Sequence, residues 1–361
     1  MVNYIVFLTI FTAISALFSL GLNLQWGLTG LINFGHVAFM TIGAYTTVLL
    51  SLKGVSLFIA VPLGCILAAV LGLLIGLSTL RLREDYLGIV TIGVSELIRT
   101  IANNEEWLTK GTFGVQGYNI PMSDLKPNFF GKFILIATLT VIFGLCLWRL
   151  WLWFKSKNEQ KNLYTIILAI LGLLLLGTIY ICGAIALNNY TDKAGLMLLI
   201  VLILALIYWM LEKLANSPWG RILKGIREDE EIPKALGKNV FWYKLQAFML
   251  GGSIAGLSGS FYAWQLGNVY PSNFEPLVTF NAWTMVVLGG AGNNIGTIIG
   301  AVIFWGYDTL TRLDAFKALI KLNDAQLGSF RIMLIGLILI IIMMWRPQGM
   351  LGKKEELTLG K

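Results

Sequence analysis

Long apolar runs separated by short polar segments dominate the sequence. Ten runs can be read along the chain: Tyr4–Leu24, Val37–Leu52, Val55–Leu80, Leu87–Ala102, Phe133–Phe154, Tyr164–Leu187, Gly195–Leu211, Leu245–Trp264, Ala282–Trp305 and Ile332–Trp345. A membrane-spanning helix needs about 20 apolar residues. The runs are continuous and do not alternate, which argues against a transmembrane β-barrel. We therefore predict an all-α fold, a polytopic transmembrane helical bundle with about 9–11 membrane segments, forming one domain over residues 1–361.

Composition supports this prediction and excludes other classes. Hydrophobic residues make up 57% of the chain, charged residues only 13%, and the mean hydropathy is +0.76. An ordinary soluble domain carries about 25% charged residues, so a soluble enzyme is not expected. The net charge of +8 lies in the loops, so no nucleic-acid partner is expected. The cysteines, Cys65, Cys146 and Cys182, lie far apart in apolar runs, and we predict neither a metal site nor a catalytic site.

The distribution of positive charge predicts the orientation in the membrane. The segment Glu212–Lys244 contains seven Lys and Arg residues, whereas Gln265–Phe280 contains none. The positive-inside rule places the first in the cytoplasm and the second outside. Counting back puts Arg81, Arg83, Arg149, Lys155, Lys157 and Lys161 inside as well. Thirteen positive residues then lie inside and five outside, with the N-terminus outside.

The run Ala282–Trp305 is interrupted by glycine and asparagine. Three simple spans after Lys244 would leave the basic C-terminal residues outside, which contradicts the same rule. The interruption, Gly289–Gly296, contains Asn293 and Asn294. Because irregular backbone at membrane depth is tolerated only inside protein or beside water, we predict a re-entrant turn or a helix pair here.

Residues 212–244 form the one long charged segment between apolar runs, and they predict a short helix. Acidic residues favour a helix N-terminus, and Pro233 is tolerated only in a first turn, so the helix should begin near Glu230 or Glu231. Its candidate contact residues are Glu228, Asp229, Glu230, Ile232, Ala235, Leu236 and Gly237. The apolar members could rest on the protein's own surface or on lipid, or could insert into a groove on a cytoplasmic partner.

A few polar residues interrupt the apolar runs. Glu96 and Arg99, at positions i and i+3, could form an ion pair near the membrane interface or could line a solute path. His36, the only histidine, lies in a glycine-flanked break, where a packing or hydrogen-bonding role competes with a proton-relay role. Asn293 and Asn294 are candidates for the path or for a structural role.

Seven sequence blocks occur in the order found in one transporter family. They are Gly27–Phe39, Arg81–Thr91, Ser217–Asp229, Ala235–Gly237, Tyr243–Phe248, Val287–Gly292 and Arg346–Gly352. With these blocks, the chain resembles the LivM-type permease subunits of ABC importers for branched-chain and other hydrophobic amino acids. Pro233 departs from the family pattern, and Phe133–Leu187 resembles an inserted hydrophobic hairpin (133–187) that faces lipid.

The resemblance implies an importer of several subunits in a bacterial inner membrane. A second permease subunit completes the channel, two cytoplasmic ATPase subunits bind below it, and a periplasmic substrate-binding protein delivers the amino acid. Glu228–Gly237 would then contact the ATPase. The chain itself has no Walker A motif, because Gly237-Lys238 is followed by Asn239. We therefore expect no cofactor on this chain, with ATP bound by its partners. Alternatives are an ABC permease for urea or short amides, and an ion-coupled secondary transporter.

Overall fold

The computed structural model describes residues 1–80, 84–123, 125, 127–156, 163–191, 193–312, 324–345 and 349–351. Within these ranges the chain is almost entirely helical, which confirms the predicted all-α class. Two short strands, β1 Val115–Gln116 and β2 Asn268–Val269, pair antiparallel, with Val115 opposite Val269. The predicted inside charges Arg81, Arg83, Lys157 and Lys161, and the basic C-terminal residues, lie outside the described residues.

Among the described residues, fourteen α-helices follow in chain order. They are α1 Val2–Leu22, α2 Val37–Leu52, α3 Leu57–Thr79, α4 Glu84–Asn104, α5 Glu106–Thr109, α6 Phe129–Ser156, α7 Leu163–Asn189, α8 Ala194–Ala215, α9 Pro218–Glu228, α10 Glu231–Ala235, α11 Val240–Leu266, α12 Pro276–Gly289, α13 Asn294–Arg312 and α14 Asp324–Trp345. A π-helical turn, Asn23–Gly27, continues α1. Every apolar run of the sequence therefore became a helix or, for Ala282–Trp305, a pair of helices.

Fewer helices meet a strict test for a membrane span than the 9–11 segments we predicted. Among the described residues, five helices are long and apolar enough to cross a membrane, or six if one bent pair is counted. The difference has a physical basis. Helix α2 is short, with 16 residues, α4 contains charges, and α11 is buried and rich in glycine and polar residues. A helix covered by protein needs less apolar surface than one that faces lipid.

The chain divides into two compact units. The first comprises Met1–Phe11 and Ile120–Leu206 and contains the predicted hairpin. Its helices α6 and α7 pack side by side, with the Phe143 and Tyr180 rings stacked at 4.5 Å between centroids. The Thr140 and Tyr180 hydroxyls are 3.0 Å apart. Large apolar side chains cover the outside of the pair, as expected of helices that face lipid.

The second unit comprises Thr12–Asn119 and Ile207–Lys361, and α2, α3 and α11 form its core. Glycines allow these helices to approach closely. A Cβ atom on Gly43 would lie 2.0 Å from the Gly256 carbonyl oxygen, and one on Gly259 would lie 2.0 Å from the Met40 carbonyl oxygen. The small-residue face Gly251–Gly259 of α11 therefore packs within the chain, with the Phe39 ring against Gly252.

Helices α12 and α13 meet at an angle of 117° across a break of four residues. Gly290 and Gly292 have φ angles of 109° and 81°, which a side chain would disfavour. A Cβ atom on Gly300 would lie 1.9 Å from the Met285 carbonyl oxygen, so the two helices also pack tightly against each other. The prediction of a helix pair at Gly289–Gly296 is confirmed.

Candidate functional site

The charged segment between α8 and α11 forms two short helices, where we predicted one. Ser217 caps α9, because its Oγ accepts a hydrogen bond from the Gly220 backbone N–H, and Pro218 occupies the first turn. The second helix, α10, begins at Glu231, as the sequence indicated. Asp229 lies between the helices in an extended conformation, and its Oδ1 accepts a hydrogen bond from the Glu231 N–H at 2.9 Å.

The four acidic residues Glu228–Glu231 are divided between the two helices. Glu228 ends α9, Asp229 separates the helices, Glu230 immediately precedes α10, and Glu231 begins it. Asp229 explains why two helices form where we predicted one. Its side chain hydrogen-bonds the backbone two residues later, which ends one helix and starts the next. Gly237 follows the end of α10 and has a φ angle of 72°, a left-handed conformation that favours glycine.

Helix α10 exposes the predicted apolar side chains. Ile232 is 58% exposed and Leu236 is 72% exposed, and Ala235 is exposed beside them. Pro233 instead points inward and is buried, near Gly225 of α9. The first of the two sequence interpretations placed this face on the protein's own surface or on lipid. Within the described chain the face does not rest on the protein's own surface, which leaves lipid or a partner as what it contacts.

Ion pairs attach α10 to α11. Lys244 lies on α11, and its Nζ is 2.5 Å from the Glu230 Oε2. Lys234 Nζ lies 3.2 Å from Glu230 and 3.0 Å from Glu231. Burial alone raises the pKa of the Glu230 carboxyl, but the ammonium groups of Lys244 and Lys234 outweigh burial and hold that pKa below its usual value. Trp219 of α9 adds a hydrogen bond from its Nε1 to Gln246 Oε1 at 2.8 Å.

Arg227 connects α9 to both interruptions of the long helices. Its Nη1 donates a hydrogen bond of 2.5 Å to the carbonyl oxygen of Gly27, in the π turn after α1. A Cβ atom on Gly292, in the break between α12 and α13, would lie 2.8 Å from the same Nη1. A Cβ atom on Gly30 would lie 3.3 Å from Arg227 Cγ. The guanidinium therefore fills a space that only glycine leaves open.

Amide side chains join the two interruptions to each other. Asn23 donates from its Nδ2 to Asn294 Oδ1 at 3.1 Å and accepts from the Gly292 N–H at 2.8 Å. Asn294 donates to Glu212 Oε2 at 3.2 Å, at the end of α8. Asn293 caps α13 by accepting from the Gly296 N–H at 3.0 Å. The structure thus places Asn293 and Asn294 in hydrogen bonds that hold the breaks together.

His36 immediately precedes α2 and is completely buried. Its Nε2 is 3.3 Å from the Phe18 carbonyl oxygen, and its Nδ1 is 3.4 Å from Asn33 Nδ2. Its ring lies 4.7 Å from that of Phe18. These contacts match the packing and hydrogen-bonding interpretation of the sequence.

Glu96 and Arg99 pair with each other on α4. Arg99 Nη2 lies 2.7 Å from Glu96 Oε2, and Nε lies 3.0 Å from the same oxygen. About a third of each side chain is exposed, 37% for Glu96 and 33% for Arg99. The ion pair that we considered from the sequence is therefore present, and its surroundings are open on one side.

Sequence reasoning missed Arg227, Lys244 and Asn23 as site residues. Each lies at a polar position that the apolar pattern alone does not explain. Asn23 and Gln25 interrupt the end of the first apolar run, and Lys244 opens the apolar run of α11. The sequence signal for Asn23 was its position with Gln25 between Gly21 and Gly27, at the end of an apolar run. No spacing rule pairs Arg227 with Gly27, because 200 residues separate them.

Comparisons with known proteins agree on one family. The family model described as "Branched-chain amino acid transport system / permease component" matches residues 4–343. The "High-affinity branched-chain amino acid transport system permease protein LivM" of Escherichia coli is 29% identical over 348 residues, which cover 94% of this chain and 68% of that protein. Its counterpart in Salmonella typhimurium is 29% identical over 342 residues, with the same coverage.

A third relative matches over nearly the whole of both chains. The "Probable branched-chain amino acid transport permease protein LivM" of Methanocaldococcus jannaschii is 26% identical over 360 residues, covering 94% of this chain and 91% of that protein. No solved structure matches.

Proposed function

Because the chain belongs to the branched-chain amino acid transport system permease family, we propose that it is the membrane subunit of an ABC importer for branched-chain and other neutral hydrophobic amino acids. Its helices identify a multi-pass membrane protein. The relatives named above carry this activity in their names. We place the chain in the bacterial inner membrane, where it conducts the solute and leaves ATP hydrolysis to separate subunits.

The proposed partners follow from the same family. A second permease subunit completes the channel, two ATPase subunits bind on the cytoplasmic side, and a periplasmic binding protein delivers the amino acid. The basic segment that contains α9 and α10 lies in the cytoplasm in this arrangement, because it carries seven Lys and Arg residues.

One observation carries the coupling mechanism: α10 presents an exposed apolar face on a segment that is firmly attached to the membrane helices. Ile232 and Leu236 are available to a partner, and two apolar anchors four residues apart suit a groove. A force applied to this face passes through the Glu230–Lys244 pair to α11. It passes through Arg227 to the π turn and to the break between α12 and α13.

Movement of α9 and α10 then shifts the two interrupted helices together. We propose that closure of the ATPase pair moves this segment, and that the resulting change at the breaks converts the permease between outward-open and inward-open states. Interrupted helices suit this role because a break can change its angle without distorting a continuous hydrogen-bond ladder.

The experiment compares two exposed surfaces of the permease within the assembled importer: the apolar face of α10 and a control position outside this segment. Ile232→Asp with Leu236→Asp places carboxylates on the apolar face of α10. We expect the tagged permease to reach the membrane normally but to lose co-purifying ATPase, with amino-acid uptake lost in parallel. Trp107→Asp alters an apolar side chain that is 81% exposed outside this segment and should retain the ATPase. Normal ATPase recovery with the double variant would contradict the proposal.

A further inference from the structure

Helix α4 has two sides of different character. The buried side carries small or polar side chains together with one leucine: Leu87, Thr91, Ser95 and Ala102, each no more than 5% exposed. The opposite side is open and apolar, with Ile89 68% exposed and Leu97 58% exposed. Glu96 and Arg99 lie on the flank between the two sides, where about a third of each side chain remains accessible.

The pair lies in the interior of α4, away from both helix ends. Helix α4 has 21 residues, so at about 1.5 Å per residue it is long enough to cross a hydrocarbon core about 30 Å thick. Glu96 lies about 12 Å from the nearer helix end on the same scale. In a helix that crosses the membrane, charged side chains at this position are costly against lipid and normally face water or protein. Helix α4 is not among the helices apolar enough to count as spans, so we expect its flank with Glu96 and Arg99 to face water or protein.

The pair is arranged so that it can accept a ligand. Arg99 uses Nε and Nη2 to bind Glu96. In the part of the chain that the structure describes, these are the hydrogen bonds of its guanidinium, so Nη1 keeps its donors. One turn earlier, a Cβ atom on Gly93 would meet nothing within 4 Å. Open space thus adjoins the two charges.

We propose that Glu96 and Arg99 form a transient binding site for the zwitterionic head group of an amino acid as it passes through the permease. The inference rests on the proposed function and adds to it the residues that contact the solute. Nη1 of Arg99 pairs with the solute carboxylate, and Glu96 pairs with the solute ammonium group. Arg is well suited to the first contact, because its planar donors match a carboxylate.

The charge of the pair selects for a dipolar solute. Glu96 supplies a negative group and Arg99 a positive one, so a zwitterion can make a favourable contact with each, whereas a simple anion or cation can pair with only one of them. The Glu275 carboxylate also attracts Arg99. Ile92 lies four residues before Glu96 and shares its flank of the helix, and the exposed Ile89 lies a further turn away, where this flank meets the open apolar side. They give an aliphatic side chain of the solute an apolar surface.

A contact surface for the second permease subunit would also keep this flank away from lipid. The two occupants differ in what they require of the charges. A structural ion pair at a subunit contact requires only that positions 96 and 99 carry opposite charges. A binding site for a zwitterion beside an apolar surface also requires the negative charge at position 96 and the positive charge at position 99.

A charge exchange separates these roles. Glu96→Arg combined with Arg99→Glu keeps the ion pair but reverses its direction. The test uses the complete importer in vesicles, with labelled leucine, ATP and the binding protein. We expect Glu96→Gln, Arg99→Gln and the exchanged variant each to reduce maximal uptake at least tenfold, while the KM for the loaded binding protein and the recovery of ATPase stay unchanged. Uptake within twofold of wild type in the exchanged variant would overturn the site.

If the exchanged variant does not assemble, thiol labelling beside the pair tests whether this flank of α4 lines the solute path. In a protein whose three native cysteines are replaced by alanine, Gly93→Cys is treated with a membrane-impermeant thiol reagent. A solute path predicts labelling that slows when leucine-loaded binding protein is added. Val141→Cys on α6, a 63% exposed position of the hairpin, should stay unlabelled. Absence of labelling at Gly93→Cys would overturn the site.

The outcome for the wild-type importer separates this inference from the proposed function. Leucine uptake by wild type together with normal uptake by the exchanged variant removes only the Glu96–Arg99 site. Failure of the wild-type importer to carry any amino acid removes the proposed function itself, and the site with it.

Discussion

The core of α2, α3 and α11 and the hairpin of α6 and α7 are built on different principles. The core places glycine against backbone, as Gly43 against Gly256 shows, and buries polar side chains such as Thr47 and Ser260, whose hydroxyls are 2.7 Å apart. Few described side chains of the hairpin are buried, and within the most apolar 18-residue stretch of Phe129–Leu152 only 6% of the residues are buried. Protein surrounds one region and lipid is the expected surrounding of the other, so only the first constrains side-chain volume strongly.

This difference predicts the largest effect of a single substitution. Gly43→Leu would force a side chain into the space of the Gly256 backbone, whereas Gly144, in α6, has nothing within 4 Å of a Cβ position. We expect Gly43→Leu to lose more than about 3 kcal/mol of stability and to yield no monodisperse protein on size-exclusion chromatography in detergent. Gly144→Leu should elute as wild type does. The same elution profile for both variants would contradict the difference in packing between the core and the hairpin.

The second prediction concerns Arg227, which links the charged segment to the helix breaks of the second unit. Arg227→Gln removes the charged hydrogen bond to the Gly27 carbonyl, which is typically worth about 1.5–3 kcal/mol. We expect leucine uptake to fall by about tenfold or more, while binding-protein-stimulated ATP hydrolysis continues, so that more ATP is consumed per leucine.

The matched control lies on the same helix. Arg221→Gln removes the same charge from an exposed position of α9, and it should leave the ratio of ATP to leucine unchanged. If Arg227→Gln also leaves that ratio unchanged, Arg227 does not transmit movement to the helix breaks.

The smallest expected effect concerns pH. The pKa of Glu230 is lowered in the folded protein, because Lys244 and Lys234 outweigh the effect of burial. A lowered carboxyl pKa stabilises the fold above the unfolded-state pKa, near 4.5, and that contribution disappears as the pH falls through the folded-state value. Glu230→Gln should therefore cost about 1 kcal/mol or less at pH 7, with the difference in Tm shrinking below pH 4.5. A difference that grows on acidification would contradict the pairing.

Much of the helical framework could be predicted from apolar runs alone. Helix α2 matches the predicted run Val37–Leu52 at both ends, and the glycine-rich interruption at Gly289–Gly296 separates α12 from α13. Both features are local, since a run of apolar residues or a cluster of glycines determines them. We did not predict α9, because its residues do not form an apolar run; Ser217 and Pro218 at its start are nevertheless typical of a helix N-terminus.

The contacts that complete the site are not local, and the sequence did not reveal them. Arg227 reaches Gly27, Asn23 reaches Asn294, and Lys244 reaches Glu230 only after the helices have packed. Periodicity reports which side of one helix is apolar but not which distant backbone carbonyl a guanidinium meets. The exposure of Ile232 and Leu236 was not predictable either. It arises because Pro233 is the residue of α10 that turns inward, which leaves the apolar face of Ile232 and Leu236 outside.

The most direct test of the central claim is leucine uptake into vesicles that contain this permease, with and without its partners. We predict accumulation only when the second permease subunit, the ATPase subunits, the loaded binding protein and ATP are all present. Leucine accumulation by this chain alone, driven by a proton or sodium gradient in the absence of ATP, would contradict the account.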